Sequence, residues 1–325
     1  MGKKKRDRPT SPDRPLIEGI VIRSVGSQTR VQTADESQYE CVVRGKFRIK
    51  GLNTTNPVAV GDWVRFHLPE QGELGVIREL LPRKNYILRK AISHGKKVHI
   101  LASNVDQAVL LFTIDQPATS TGFANRFLVT TEAYHIPTYI VINKLDLLSE
   151  PEQLARLKEV EELYAKIGYP IIKVSALEAS YAPQIASLLR DKLTFIGGHS
   201  GAGKSTLINL IDPELDLKTS EISQYSNKGR HTTTFAQMHK LKIGGYIIDS
   251  PGIKELGLTD LERGELSHYF PEMRERMEAC RFHNCTHINE PHCAVQAALE
   301  KGEVHPSRYD SYLRMLEDID ASSQW

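Results

Sequence analysis

The chain has 325 residues, of which 40% are hydrophobic and 25% charged, so it is long enough for two or three domains with apolar cores. Lysine and arginine number 42 against 40 aspartates and glutamates, and a net charge of +2 does not by itself predict a polyanionic partner. No apolar run approaches a membrane span and none follows the basic N-terminus, which excludes a membrane partner and a secretory signal from the expected classes.

The N-terminal part of the chain combines a basic tail with several short strands. Residues 1–15 are polar and rich in lysine and arginine, and we interpret them as a disordered tail, either solvated or in contact with RNA phosphates. Residues 16–82 contain about five β-like runs, which favour a small barrel of the OB-fold type. Such a barrel either only packs or binds RNA, and its basic residues favour RNA. We expect Trp63 and Cys41 to lie in its core.

Residues 83–97 are predicted to be a linker. They carry several lysines and arginines, so they fit either a solvated connector or a contact with nucleic acid.

Residues 98–265 alternate apolar strands with helical stretches, which predicts a doubly wound α/β domain. In such a domain ligands bind outside the carboxyl ends of the strands. Strands are predicted at 108–112, 139–142, 171–174, 193–196, 235–241 and 246–248, and helices at 126–134, 152–167 and 183–191.

Two polar motifs follow neighbouring strands of this domain. Asn143-Lys144-Leu145-Asp146 comes after the strand at 139–142, and Asp146 there could accept from both the N1–H and the exocyclic amine of guanine. Asn143 would contact the Hoogsteen side of the base, and the Lys144 stem would cover its face. Ser175 and Ala176 follow the next strand, where their backbone N–H groups could contact the guanine O6.

A phosphate-binding loop lies between the strand at 193–196 and a helix. Its residues are Gly198, His199, Ser200, Gly201, Ala202, Gly203, Lys204 and Ser205, with Thr206 following. The glycines let successive backbone N–H groups point at phosphate oxygens, and the helix N-terminus adds its dipole. Lys204 would reach the β- and γ-phosphates, and the Ser205 hydroxyl would bind Mg²⁺.

Two further segments fit the switch regions of a nucleotide-binding protein. Asp249-Ser250-Pro251-Gly252 closes a strand, so Asp249 could hold Mg²⁺ through water and the Gly252 N–H could sense the γ-phosphate; a simple turn is the alternative. The second segment is Gly229-Arg230-His231-Thr232-Thr233-Thr234. One of its threonines could bind Mg²⁺ and the γ-phosphate, with Thr233 as the first choice and Thr232 as the second. A solvated polar loop is the alternative.

These elements are those of a guanine-nucleotide switch protein in rotated order, because the base-reading motif precedes the phosphate loop. A circular permutation explains this order, since the termini of compact domains often lie close together. The rotation places the turn after Asp249 directly upstream of the C-terminal region, so nucleotide state could act on that region through a short tether.

The C-terminal residues 266–325 contain a metal-ligand cluster within a predicted α-helical domain. Cys280, Cys285 and Cys293 lie close together, with His283, His287 and His292 as possible nitrogen donors. Three thiolates and one imidazole make a closed tetrahedral Zn²⁺ site of structural type in a reducing compartment. Helices are predicted at 294–300 and 309–316.

Nearly the whole chain resembles the ribosome small-subunit-dependent GTPase family (RsgA, also called YjeQ). The resemblance implies a GTPase that acts late in small-subunit maturation and is stimulated by the subunit. It selects His287 as the nitrogen ligand of the zinc. The family usually has Gln at the position of His199 and Val at that of Ala202, and neither change touches Gly198, Gly203, Lys204 or Ser205.

The residue that handles the attacking water is a separate question. Ras-like GTPases place a Gln after the Asp-x-x-Gly turn, but this chain has Ile253, which cannot hydrogen-bond, so intrinsic hydrolysis should be slow. His231 resembles the family's proposed catalytic histidine. We hypothesise that ribosome docking brings His231 to the γ-phosphate; a surface histidine without a role is the alternative.

The sequence therefore predicts a cytoplasmic, monomeric, Mg²⁺-dependent GTPase with GTP or GDP, one structural Zn²⁺, and the small ribosomal subunit and its rRNA as partners. Neither DNA nor a membrane is expected. Lys204 and His231 are the predicted catalytic residues. Two other hypotheses are an RNA-binding assembly protein in which the nucleotide is only structural, and an ATP-using P-loop enzyme. Lys204→Ala tests the first, and the base preference of Asp146→Asn tests the second.

Overall fold

The computed structural model describes residues 15–26, 28–43, 54–69, 74–90, 98–217, 236–249 and 261–323. The strands are β1 (Ile17–Val25), β2 (Gln28–Gln32), β3 (Gln38–Val43), β4 (Trp63–His67), β5 (Gly75–Leu80), β6 (Tyr86–Lys90), β7 (Val98–Ser103), β8 (Gln107–Thr113), β9 (Thr138–Asn143), β10 (Ile171–Lys173), β11 (Leu193–Gly198), β12 (Gln237–Lys240) and β13 (Tyr246–Asp249). The α-helices are α1 (Thr121–Ala133), α2 (Pro151–Ile167), α3 (Ala182–Leu189), α4 (Lys204–Ile211), α5 (Pro271–Arg274), α6 (Ala294–Glu300) and α7 (Pro306–Ser323).

The first five strands form a closed barrel. They run in the order β1-β2-β3-β5-β4, and β4 pairs back onto β1, while β3 and β5 are parallel. Inward-facing Val21, Val31, Val64 and Phe66 fill its core with Cys41, and all five are fully buried. The predicted five-stranded barrel is confirmed, as is the burial of Cys41.

The expectation for Trp63 is wrong. In β4 the buried residues are Val64 and Phe66, so the strand's period of two turns Trp63 and Arg65 outward, and Trp63 is 43% exposed. The sequence analysis assigned Trp63 to the core from its apolar character, without using this alternation.

The linker prediction is wrong for residues 86–90. These residues form β6, which pairs antiparallel with β7 because Ile87 and Leu88 have a core to enter. Arg83 is not a solvated cation either. Its Nε donates to Asp62 Oδ1 at 2.6 Å, and both side chains are buried.

The central sheet contains all six predicted strands. β10-β9-β8-β11-β13 are parallel, and β12 is antiparallel to β13. Helix α1 begins five residues earlier than predicted, since the Ser120 hydroxyl accepts from the Phe123 N–H and caps it. Helix α7 is also longer than predicted at both ends.

The barrel and the central sheet are continuous. Arg23 of β1 pairs with Gln237 of β12, which joins eleven strands into one sheet. Ile20 of the barrel shares an apolar core with Met238 and Ile248 of the β12–β13 hairpin. This junction could not be predicted from the sequence, because nothing in β1 differs from an ordinary barrel strand.

The C-terminal region packs on α1. Val129 of α1 belongs to the same buried cluster as Phe270 and Tyr312. Beside it, Arg308 is 0% exposed and donates from Nε and one terminal nitrogen to Glu272, at 2.6 and 3.1 Å, and from the other terminal nitrogen to Asn125 Oδ1 at 3.0 Å. Within the described residues, no helix is long and apolar enough to cross a membrane.

Candidate nucleotide and metal sites

The predicted nucleotide-site residues meet at one edge of the central sheet. Asn143 ends β9, Gly198 ends β11 and Asp249 ends β13, while Ser175 lies just beyond β10. The parallel pairing of these strands brings their carboxyl ends together. The structure therefore has the strand-end arrangement that the sequence predicted.

The phosphate loop requires its glycines. Gly201 and Gly203 have φ values of +82° and +95°, which side chains rarely adopt. A Cβ on Gly203 would lie 2.4 Å from Asn143 Nδ2. Ser200 and Gly201 are exposed, and Lys204, Ser205 and Thr206 form the first turn of α4. The predicted strand–loop–helix is thus formed.

Lys204 is a buried cation held by backbone oxygens. Its Nζ donates to the carbonyls of Gly198 at 2.9 Å and His199 at 3.1 Å, and the side chain is 8% exposed. Burial lowers the pKa of Lys204, while the nearby Asp249 carboxylate raises it. A cation in this position favours a polyanionic ligand that would restore the lost solvation.

Asp249 and Ser205 fit a divalent cation. Among the described residues, nothing hydrogen-bonds Asp249 Oδ1, although this oxygen is buried. Burial raises the pKa of Asp249, and the charges of Lys204 and His239 oppose that shift. A buried carboxylate oxygen without a partner is a suitable hard ligand for Mg²⁺, and Ser205, in the first turn of α4, is also buried.

Asn143 connects the base-reading side of the site to the phosphate loop. Its Nδ2 donates to the Ala202 carbonyl at 2.9 Å, and its Oδ1 accepts from the Ala176 N–H at 2.9 Å. The sequence predicted a base contact for Asn143 but not this connection between three loops. Only the fold reveals it, because its partners are 59 and 33 residues away.

Asp146 is oriented by Ser175. The Ser175 hydroxyl donates to Asp146 Oδ1 at 2.6 Å, and Ser175 is fully buried. Lys144 has a left-handed φ of +66°, and its Nζ donates to the Gln116 carbonyl. Ser175 therefore lies beside Asp146 and has a side-chain contact that the sequence analysis did not predict, while its backbone contact with guanine stays a prediction.

The loop between β8 and α1 is a part of the site that sequence reasoning missed. Pro117 Cδ lies 3.3 Å from a Cβ built on Gly201, and the Gln116 carbonyl accepts a hydrogen bond from the Lys144 ammonium. The Phe123 ring stacks on His199, with centroids 4.0 Å apart. The only available signal was that this loop also follows the carboxyl end of a parallel strand.

Three predicted site residues lie outside the described residues. They are His231, Thr233 and Gly252, together with the alternative Thr232 and with Ile253.

The metal-ligand cluster is assembled. The donor atoms of Cys280, Cys285, His287 and Cys293 all lie within 4.8 Å of one another. His287 Nδ1 is 3.7 Å from Cys280 Sγ and 3.4 Å from Cys293 Sγ, close to the separations that ~2.0–2.3 Å bonds to a tetrahedral Zn²⁺ would give. His283 and His292 are exposed, so the geometry selects His287, as the resemblance implied. Burial raises the pKa of Cys285 to about 12 in the metal-free chain.

Glu290 organises the loop that carries these ligands, and the sequence analysis did not identify it. Its carboxylate accepts from the N–H and hydroxyl of Thr286 at 2.7 and 2.6 Å, and from the N–H groups of Ile288 and Asn289 at 3.0 and 3.1 Å. Burial raises the pKa of Glu290, but these hydrogen bonds outweigh it and bring the pKa to about 2. Tyr309 and Tyr312 of α7 donate to the carbonyls of His287 and Thr286, at 2.6 and 2.7 Å.

Comparisons with known proteins agree with this arrangement. The family model of the RsgA N-terminal domain matches residues 18–77, and that of the RsgA GTPase matches residues 80–259. A small ribosomal subunit biogenesis GTPase RsgA from Christiangramia forsetii is 49% identical over 303 residues, which are 93% of this chain and 96% of the relative. A protein of the same name from Bacteroides fragilis is 48% identical over 302 residues, 93% of this chain and 97% of the relative.

Two solved structures share the fold over nearly the full length. YjeQ from Thermotoga maritima superposes with a TM-score of 0.73 at 35% identity, covering 94% of this chain and 99% of that one. YloQ, a circularly permuted GTPase, superposes with a TM-score of 0.70 at 31% identity, covering 97% of this chain and 98% of that one. The rotated order of motifs and the barrel are thus shared with structures of known fold.

Proposed function

The chain belongs to the RsgA GTPase family, and from this premise we propose that it hydrolyses GTP as a biogenesis factor of the small ribosomal subunit. The observation that carries the proposal is the Asn143 bridge between the phosphate loop and residues 175–176. This bridge supports a site in which Asp146 and Lys204 would contact the two ends of one guanine nucleotide.

Different residues would bind the phosphates and the base of the nucleotide. The N–H groups of the loop from Gly198 to Gly203 would bind the phosphates, and Lys204 would exchange its carbonyl partners for β- and γ-phosphate oxygens. Asp146, oriented by Ser175, would accept from the guanine N1–H and amine. Adenine lacks this pair of donors, so the same carboxylate would reject it.

Ser205 and Asp249 would hold Mg²⁺, with Thr233 joining them when GTP is bound. When bound, the ion neutralises charge on the β- and γ-phosphates during transfer to water. Lys204 would stabilise the charge that builds on the leaving phosphate. Gly252 would report the γ-phosphate to the segment that leads into the C-terminal region.

We propose that His231 positions the attacking water, because Ile253, which follows the Asp249–Gly252 turn, cannot hydrogen-bond. Slow basal turnover and stimulation by the small subunit follow from this assignment. If subunit-stimulated turnover of His231→Ala equals that of the unaltered chain, His231 is not part of the mechanism.

One structural Zn²⁺ would be held by Cys280, Cys285, His287 and Cys293. Four protein donors leave no open position, so the ion would stabilise the C-terminal domain and take no part in the chemistry. We further propose that the chain acts as a cytoplasmic monomer, and that its barrel and zinc domain contact rRNA on either side of the GTPase domain.

The decisive experiment is GTP turnover with and without purified small subunits. We expect low basal phosphate release that rises when subunits are added, and its loss in Lys204→Ala. Equal turnover with and without subunits would contradict the proposal. Competition between GTP and ATP in Asp146→Asn is the control for base recognition, and an unchanged preference would favour an ATP-using enzyme instead.

A further inference from the structure

The loop between the first two metal ligands presents an exposed aromatic ring. Phe282 lies between Cys280 and Cys285, and it is 39% exposed although most large apolar side chains of the described residues are buried. It lies outside the buried cluster that joins the metal site to α7. The stability of the C-terminal core therefore does not account for this phenylalanine.

Phe282 carries a cation on its face. The Arg281 guanidinium carbon lies 5.5 Å from the centroid of the Phe282 ring, and both side chains are exposed. An exposed cation–π pair adds little to stability, of the order of 0.5–1 kcal/mol. The pair does present a flat apolar surface next to a planar group with several N–H donors.

The backbone holds this surface in place. Cys280 and Cys285 anchor both ends of the loop, the Arg281 N–H donates to the His292 carbonyl, and the Cys285 N–H donates to the Phe282 carbonyl at 3.2 Å. A ring on a loop that is anchored at both ends loses little conformational entropy when it binds.

The charged group in contact with the ring is a cation, Arg281. The nearest acidic residues along the chain are Glu278 and Glu290, and the Glu290 carboxylate already accepts hydrogen bonds from Thr286, Ile288 and Asn289. A protein partner with an acidic surface would suit the arginine alone, whereas an unpaired nucleotide suits both groups. Its base stacks on an aromatic ring, and its phosphate pairs with a guanidinium.

We propose that Phe282 and Arg281 form a stacking site for an unpaired base in the RNA of the small ribosomal subunit. This inference rests on the proposed function and assigns one of its RNA contacts. Phe282 supplies the stacking surface, and Arg281 pairs with the adjacent phosphate. The metal-ligand cluster fixes the loop that carries both side chains.

Binding of the full chain to purified small subunits, in the presence of a non-hydrolysable GTP analogue, tests the site across a salt series. Phe282→Leu keeps an apolar side chain but loses the ring, and we expect Kd to rise by about 5- to 100-fold. The dependence of Kd on salt should stay the same. Arg281→Gln should reduce the slope of log Kd against log salt by about 0.7, one phosphate contact.

Phe282→Tyr is the matched control, because it retains the ring and should retain binding. Unchanged zinc content and melting temperature in Phe282→Leu would establish that the domain is intact. If Phe282→Leu binds subunits as tightly as the unaltered chain, or if Phe282→Tyr loses as much, the stacking site is wrong. Failure of the unaltered chain to bind subunits would instead reject the proposed function.

Photocrosslinking identifies the partner. Phe282→p-azidophenylalanine, irradiated on the small subunit, should attach to rRNA. Attachment only to a ribosomal protein would overturn the proposal, since the surface would then serve a protein contact.

Discussion

The buried ion pair between α7 and α5 gives the sharpest stability prediction. Arg308 is 0% exposed and Glu272 is 6% exposed, so Arg308→Met would leave the Glu272 carboxylate buried without its partner. Such a loss costs about 3–5 kcal/mol. Replacing both residues, as in Arg308→Met with Glu272→Leu, removes the unpaired charge and should recover most of the loss, because similar apolar replacements are often neutral.

Differential scanning calorimetry of the zinc-loaded chain measures both variants. At about 2–4 °C per kcal/mol, the single variant should melt about 6–20 °C lower, and the double variant within a few degrees of the unaltered chain. Arg126→Met is the control, since its partner Asp318 is 57% exposed and the pair should contribute at most about 1 kcal/mol. A double variant as unstable as the single one would refute the reasoning, because the loss would then come from packing and not from the unpaired charge.

Three further predictions concern the sites and the β6–β7 hairpin. Glu290→Gln should weaken zinc binding by about 10- to 100-fold in chelator competition, because an amide has one acceptor oxygen for the N–H and hydroxyl groups that the carboxylate now holds in the ligand loop. An unchanged zinc affinity would show that Glu290 does not organise this loop. Asn143→Ala should raise the KM for GTP by about 10-fold or more, since it leaves two backbone groups unpaired; the same KM would mean that the bridge is not needed. Burial, with a contribution from Arg89, lowers the pKa of His99 to about 4, so the unfolded chain takes up this proton first and stability is lost as pH falls from about 6.5 to 4. His99→Gln should show a shallower loss in that window by urea unfolding, and identical slopes would remove His99 from the acid response.

The sequence predicted the central sheet well because its strands are continuous apolar runs that need little context. The runs 108–112 and 139–142 lie in β8 and β9 almost residue for residue. The strand-end motifs were equally accessible, since parallel strands bring their carboxyl ends to one edge. The metal ligands could be located to within the choice of one histidine, because three clustered cysteines have few other uses.

The parts that failed depend on contacts between distant residues. β6 was hidden among basic residues, and only its pairing with β7 and the Arg83–Asp62 ion pair show that the segment is structured. Trp63 was misassigned because hydrophobicity alone does not tell which face of a strand looks inward. The roles of Asn143 and Glu290 depend on which backbone groups lie opposite them in the folded chain, and no local pattern contains that information.

The pairing of β1 with β12 has a practical consequence for anyone who cuts this protein into pieces. A fragment without the barrel would expose the outer edge of β12 and the apolar side chains that Ile20 covers. Unpaired strand edges pair with the strands of other chains, so such a fragment should self-associate. Nucleotide binding and turnover measured on it would not represent those of the full chain. The smallest trustworthy specimen for solution work therefore begins upstream of Ile17 and retains the barrel.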